Sequence, residues 1–388
     1  MTVYYKSRQW GRDVDLDDLY IRKDIFLSGS MWVWGRNDAG QHLDNNASFT
    51  NRSSPIQVIA NGTIWKQVYA YTTNTLGVKA DGTLWNGGTG TSGQLGDNTA
   101  ISKSSPLQTV TGGNNWYSVS GGSASTAAIK TDGTLWLWGS GNSGQLGDNT
   151  TTNRSSPVQT ITGGANWKQV SLGRVGACGA IKTDGTLWMW GTGTSGQMGN
   201  NALTSRSSPV QTVAGGTDWR SISVGFVVSA IKTDGTLWLW GQNADGALGD
   251  NTTITRSSPV QTVTGGNNWK SVTQGDSYYT VAAIKTDGTL WLWGSNLYGG
   301  LGNNSTTRRS SPVQTVAGGT NWKKVGLGEG HVGAIKTDGT LWMWGDNLYG
   351  QLGTNNRTLR SSPVQTVAGG TNWIDIAGGF NHTVAIRL

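Results

Sequence analysis

The 388-residue chain holds 60 glycines and 21 tryptophans while charged residues make up only 13%, a balance rich in turns and large apolar anchors and poor in the Lys/Glu surfaces of helical proteins. Its formal net charge of +7 is scattered one or two basic residues at a time, which argues against a nucleic-acid footprint. The single cysteine, Cys178, excludes an intramolecular disulfide framework.

The first segment, Met1 to Asp24, differs from everything after it. Lys6 and Arg8 have no apolar run behind them of signal-peptide length, and no later window is long and apolar enough for a membrane span, so the sequence predicts a soluble product with no membrane insertion. Tyr4, Tyr5, Trp10, Leu16, Leu19 and Tyr20 make this segment an anchor arm able to add a strand to, or wedge into, a neighbouring subunit. Asp13, Asp15, Asp17 and Asp24 have calcium-loop spacing, but Asp18 stands where that loop needs glycine, and the segment reads as a solvated acidic arm.

From residue 25 to 388 the chain repeats itself. Equivalent tryptophans fall at Trp32, Trp85, Trp136, Trp188, Trp238, Trp291 and Trp342, 50 to 53 residues apart, giving seven units. All seven prolines recur in a Ser-Ser-Pro signal, and a further tryptophan series from Trp65 to Trp373 keeps the period. Each unit predicts four short strands: Pro-Val-Gln-Thr-Val, Trp-Lys-x-Val, Ala-Ala-Ile-Lys and Thr-Leu-Trp-Leu-Trp-Gly, with proline at the first strand position. Thr-Asp-Gly, as at Thr131 to Gly133, is the hairpin between the last two, because Asp and Gly tolerate the positive φ of tight turns.

In the last strand Trp136 and Trp138 point to one face and Leu135 and Leu137 to the other, so both faces are apolar. Such a sheet needs neighbours on both sides, and radial stacking of four-stranded blades supplies them without a long open edge. The expectation is an all-β, seven-bladed β-propeller. The first unit begins at its last strand (Met31 to Trp34) and the chain stops at Val384 to Leu388, just before that strand, so N- and C-terminal strands share one blade. The second unit departs from the pattern, with Leu84-Trp85-Asn86-Gly87-Gly88 lacking the second tryptophan, and predicts a thinner or distorted blade.

Leu-Trp-x-Trp-Gly, Gly-Gln-Leu-Gly-Asp-Asn, Ser-Ser-Pro-Val-Gln, Trp-Lys-x-Val and Ala-Ile-Lys-Thr-Asp-Gly together resemble the repeat of the regulator-of-chromosome-condensation family over about residues 25 to 388. The resemblance implies seven blades closed by a shared one. For function it implies several classes: nucleotide-exchange factors, light sensors, scaffolds and virus structural parts.

Catalysis lacks residues. The only glutamate is Glu329 and the only histidines, His42, His331 and His382, lie in different units, so no catalytic set, cofactor or metal is expected. Asp97, Asp148 and Asp250 read as turn-stabilising side chains. A basic residue precedes each Ser-Ser-Pro (Arg52, Lys103, Arg154, Arg206, Arg256, Arg309, Arg360), either bonding locally to its loop or forming a rim for an anionic partner.

Against this near-constant framework one stretch differs in every copy, between the Trp-Lys-x-Val and Ala-Ala-Ile-Lys strands. It supplies Arg174, Phe226, Tyr278, Tyr279, Glu329, His331, Phe380 and His382, and a second differing site after Trp-Gly adds Tyr298 and Tyr349. These form the expected binding surface, for loops at equivalent places in all blades share one face. Nearly identical copies, a Gly/Ser/Thr/Asn-rich surface and the distinct arm point to a bacteriophage virion component in a tail, fibre or capsid position. Its expected partners are other virion proteins through the arm and a host-surface glycan or protein. The alternatives are a cytoplasmic interaction scaffold or guanine-nucleotide exchange factor, and an ultraviolet sensor.

Overall fold

The computed structural model describes residues 28–45, 50–58, 64–122, 124–275 and 279–388. The anchor-arm residues Tyr4, Tyr5, Trp10, Leu16, Leu19 and Tyr20, the leader aspartates and Tyr278 lie outside them.

Seven four-stranded antiparallel sheets follow one another, and the innermost strand of each packs on the innermost strands of both neighbours, all the way round. The fold is an all-β, seven-bladed propeller. We number the blades by their third strands, from Ser30–Gly35 in blade one to Leu341–Gly345 in blade seven. Blade four is representative: Trp167–Leu172 lies innermost, then Ala177–Lys182, Leu187–Gly191 and, outermost, Arg206–Gln211. Blade one is made from both ends of the chain. Trp373–Gly378 and His382–Arg387 supply its inner half, Ser30–Gly35 and Arg52–Gln57 its outer half, and Ser30 to Gly35 pair residue for residue with Arg387 back to His382.

The proline does not open its strand. Pro157 is fourth in Arg154–Gln159, where the register jumps from Gly139↔Arg154 to Leu137↔Val158. Four steps of the outer strand thus face two of its neighbour, a bulge on the blade's free edge. There a missing N–H removes no ladder bond, and the bulge blunts the edge against pairing with another chain.

Two-residue alternation sets the packing between blades. Leu135 and Leu137 of blade three press on Trp167, Val170 and Trp190 of blade four. The same arrangement recurs between blades four and five and between six and seven. Burying an indole removes roughly 150–250 Å² from water, which makes these ring contacts the main source of cohesion.

Each deep indole is also tied by its N–H. Trp138 donates to the Gln94 carbonyl of the preceding blade at 3.0 Å, and Trp190, Trp240, Trp293, Trp344 and Trp34 do the same to Gln145, Gln197, Ala247, Gly300 and Gln351 at 2.7–2.9 Å. The glycine two residues after each acceptor lies beneath the indole. At Gly199 (φ +59) a β-carbon would come within 2.8 Å of Trp240 Nε1.

Blade two, expected to be thin or distorted, is neither: Leu84–Gly88 keeps its five-residue strand and full pairing. The reason lies in its neighbour. In the blade-one loop that position beneath the indole is Leu43, held at φ 55, and its side chain fills the space above Gly87, 2.3 Å from where a β-carbon would be. The Gln41 carbonyl, without an indole donor, keeps the Thr75 hydroxyl at 2.8 Å, as the Thr126 and Thr383 hydroxyls donate to Gln94 and Gln351 beside Trp138 and Trp34. A Gly/Trp pair has become a Leu/Gly pair.

Candidate functional site

The loops joining innermost and second strands open at one end of the central channel. Glycines lead into them, and the chains pack backbone to backbone there: a β-carbon on Gly173 would lie 2.9 Å from Gly225 Cα. Within the channel the inner strands of blades two, six, seven and one border a cavity of about 400 Å³. Its walls include Gln67, Gln274, Lys324 and Asp375. Asp375 forms an ion pair with Lys324 and accepts the Val68 N–H at 3.3 Å. Gln169 makes a two-way bridge to the Ile222 backbone, its amide donating at 3.1 Å and its carbonyl accepting at 3.2 Å. Such side chains serve the backbone groups of inner strands that have no ladder partner across the blade gap.

Above the cavity, side chains from distant blades meet. Arg174 of blade four reaches across the mouth to Glu329 of blade seven (3.5 Å) and lies over the Phe380 ring of blade one (4.5 Å to the centroid). The Glu329 N–H donates to the Phe380 carbonyl and the Phe380 N–H to that of Thr72, linking the loops of blades seven, one and two. Phe226 and Tyr279 pack edge to face at 4.9 Å. Burial, with the Asp245 charge adding, raises the Tyr279 phenol's pKa above its usual value. Tyr298 lies against Gly330, and Arg36 sits over the Tyr349 ring at 5.1 Å. Of the ten residues expected on this surface, Arg174, Glu329 and Phe380 form one cluster and Phe226 and Tyr279 another. Tyr298 and Tyr349 stand apart at the blade junctions, and all seven are half-buried.

His331 and His382 are not on the surface. Both are fully buried at the start of second strands, each facing the next blade. The Thr383 and Thr75 hydroxyls spend their protons on the carbonyls of Gln351 and Gln41, so His331 and His382 donate to them through Nε2 at 2.9 and 3.2 Å. Complete burial favours the neutral form of both imidazoles. Burial lowers their pKa values to about 3 and about 4, and that of buried His42 to about 3, with His382 and Arg52 pushing it the same way. The three histidines gather around the closing blade, although the sequence separates them; among the described residues no three His, Cys, Asp or Glu side chains are grouped to hold a metal ion. Cys178 is a buried core residue whose thiol is pushed well up by burial.

At the opposite ends of the second and third strands the ring repeats itself. The Asp132 carboxylate takes the hydroxyl (2.7 Å) and N–H (2.9 Å) of Thr134, which hold its pKa below the usual range. Thr134 in turn accepts from Trp136 Nε1 at 2.9 Å. Lys130 closes the unit, its ammonium 4.9 Å from the rings of both Trp116 and Trp136. The same sandwich recurs in every blade, with Arg387 as the cation in blade one. The sequence shows its signal, a cation closing every Ala-Ile-Lys strand beside two tryptophans, but not that one ammonium serves both rings.

The sequence profile of the regulator of chromosome condensation (RCC1) repeat matches residues 132–176, 184–226, 234–282, 287–335 and 338–386, more than half of the chain. The chain belongs to the RCC1 repeat family. It is 28% identical over 304 residues to the ultraviolet-B receptor UVR8 of Arabidopsis thaliana, covering 77% of this chain and 57% of that one. With the mouse E3 ubiquitin-protein ligase HERC2 the identity is 25% over 92% of this chain but 8% of that protein. The chain thus spans little more than half the length of the one and a small part of the other. Among solved structures it superposes on Prp20p of Saccharomyces cerevisiae with a TM-score of 0.82 at 16% identity (97% of this chain, 95% of that one). Human WBSCR16 gives 0.79 at 19% identity (93% and 99%). These two likenesses show the shared fold.

Proposed function

We propose that this RCC1-repeat propeller is a non-enzymatic recognition body, carried on a bacteriophage virion, that meets its partner with the channel-mouth face and is tied to other virion proteins by its N-terminal arm. One observation carries the reading: five of the side chains that differ between otherwise matching blades stand at a single mouth, where Arg174, Phe226, Tyr279 and Phe380 offer, beside Glu329, the aromatic and arginine types that dominate protein interfaces. The opposite ends of the strands repeat one pattern of Asp, Thr, Lys and Trp, as a framework does. The near-identity of copies and the low surface charge favour a virion body that is multiplied and exposed, and a host-surface protein or glycan is the partner that fits such placement.

Mass spectrometry of particles purified to homogeneity should find this polypeptide in stoichiometric amount, and Phe226→Ala with Tyr279→Ala should lower host adsorption while particle assembly stays normal. Particles that lack the chain would overturn the virion reading. The regulatory alternative, in which this face meets a small GTPase, draws on the fold likeness to Prp20p, whose structure was described with its binding properties to Gsp1p and histones. Accelerated nucleotide release from a GTPase panel would favour it.

A further inference from the structure

Five of the seven basic residues that open the outer strands divide into two sets. In blades three and five the preceding loop supplies an aspartate, and the arginine is half-buried against it: Arg154 on Asp148 at 3.0 Å, Arg256 on Asp250 at 3.5 Å. In blades four, six and seven that loop position is Asn200, Asn303 or Thr354. The arginines remain as Arg206, Arg309 and Arg360, now exposed and with no carboxylate partner among the described residues.

Blades six and seven add to this. Arg308 and Arg357 precede Arg309 and Arg360, and neither 303–310 nor 354–361 contains an acidic residue. The two segments are joined side by side, the Asn304 N–H donating to the Ser361 carbonyl at 3.0 Å. Among the described residues, of the four guanidinium groups only Arg308 meets a carboxylate, Asp245 of blade five, and it stays 61% exposed. The result is an arc of four exposed arginines over two adjacent blades.

We propose that this arc is a docking rim for an acidic polysaccharide, a carboxylate- or sulfate-bearing chain that lies along the outer edge of blades six and seven. Guanidinium groups strung from blade to blade suit charges repeated along a polymer, since each forms paired hydrogen bonds to a carboxylate or sulfate. Between them the two segments offer asparagine amides and serine and threonine hydroxyls, the partners of sugar hydroxyls. They contain no aromatic ring for stacking a base, which favours a glycan over single-stranded nucleic acid. The rim is separate from the channel mouth, and the inference stands whichever partner binds there.

The test uses the full chain, with heparin as the sulfated and polygalacturonate as the carboxylated probe, and DNA of matched charge alongside. Binding is measured from low to physiological salt for wild type, Arg309→Ala/Arg357→Ala/Arg360→Ala and the control Arg154→Ala/Arg256→Ala. The triple variant should lose at least about tenfold in polysaccharide affinity, with a shallower salt dependence, and should melt like wild type because its three arginines are exposed. The control should change affinity less than about twofold. Equal losses in both variants, no binding of either polysaccharide, or tighter binding of DNA would each overturn the proposal.

Discussion

The junction between blades four and five and the junction between blades one and two do the same work with different atoms. In the first, Gly199 makes room for Trp240, whose indole donates to the Gln197 carbonyl at 2.8 Å. In the second, Leu43 occupies the glycine's place and Gly87 the tryptophan's, and the Gln41 carbonyl is left with the Thr75 hydroxyl as its donor. Leu43 fills from the opposite side the space above Gly87 that an indole fills elsewhere, so neither residue of the common pair is kept while the junction stays packed.

Departures of this kind concentrate around the closing blade. Tyr71 of blade two lies against Gly121 of blade three, 2.0 Å from where a β-carbon would stand, and its hydroxyl meets Thr126 at 3.1 Å. His331 and Lys324 of blade seven reach Thr383 and Asp375 of blade one, and His382 of blade one reaches Thr75 of blade two. The junctions from blade three to blade six use the common Trp, Leu and Gly set. In a chain of near-identical units, these matched pairs distinguish the two ends that must meet from the interchangeable units between.

The sharpest separation of the two kinds of junction is by acid. His42, His331 and His382 are neutral when folded, with pKa values near 3 to 4 against about 6.5 unfolded, so the unfolded chain binds more protons below that value. Stability is whole above about pH 6.5 and falls as the pH drops toward 4, by about 1.4 kcal/mol per pH unit for each histidine. Denaturant melts at pH 7 and pH 5 should show this loss. Replacing His331 and His382 by Thr, the residue at the equivalent Thr280, should remove most of it, and a pH dependence unchanged by those replacements would refute the assignment. Next in size, Trp240→Ala at the common junction should cost about 3–5 kcal/mol by equilibrium unfolding, a core cavity together with an orphaned carbonyl. The smallest effect belongs to the repeated framework: Lys182→Met, removing a cation shared by Trp167 and Trp188, should cost about 1 kcal/mol or less.

Much of the fold could be read from the residues. Tryptophan and proline spacing gave the number of blades, period-two alternation gave two apolar faces, and the phase of the first and last units gave the shared blade. The location of the differing stretches at one end of the ring follows from the same register. What escaped depends on contacts between units. Gly87 looked like a defect because its remedy, Leu43, lies 44 residues earlier in another blade. His331 and His382 looked like surface residues because they adjoin variable loops, yet a second strand begins inside the ring and its first side chain points at the next blade. The proline's place within its strand rested on a bulge, which period-two reading does not register. The basic residues looked equivalent in sequence, and only the loop residue six positions before each one separates the paired arginines from the free ones.

The claim that matched pairs mark the closing junction is tested most directly by a double-mutant cycle on Leu43 and Gly87, read by equilibrium unfolding and by mass in solution. Leu43→Gly and Gly87→Trp should each destabilise the chain, the second by crowding Leu43. The double variant, which restores the common pair, should recover most of the stability but refold into a mixture of closed monomer and exchanged oligomers. Additive losses with a purely monomeric product would contradict the account.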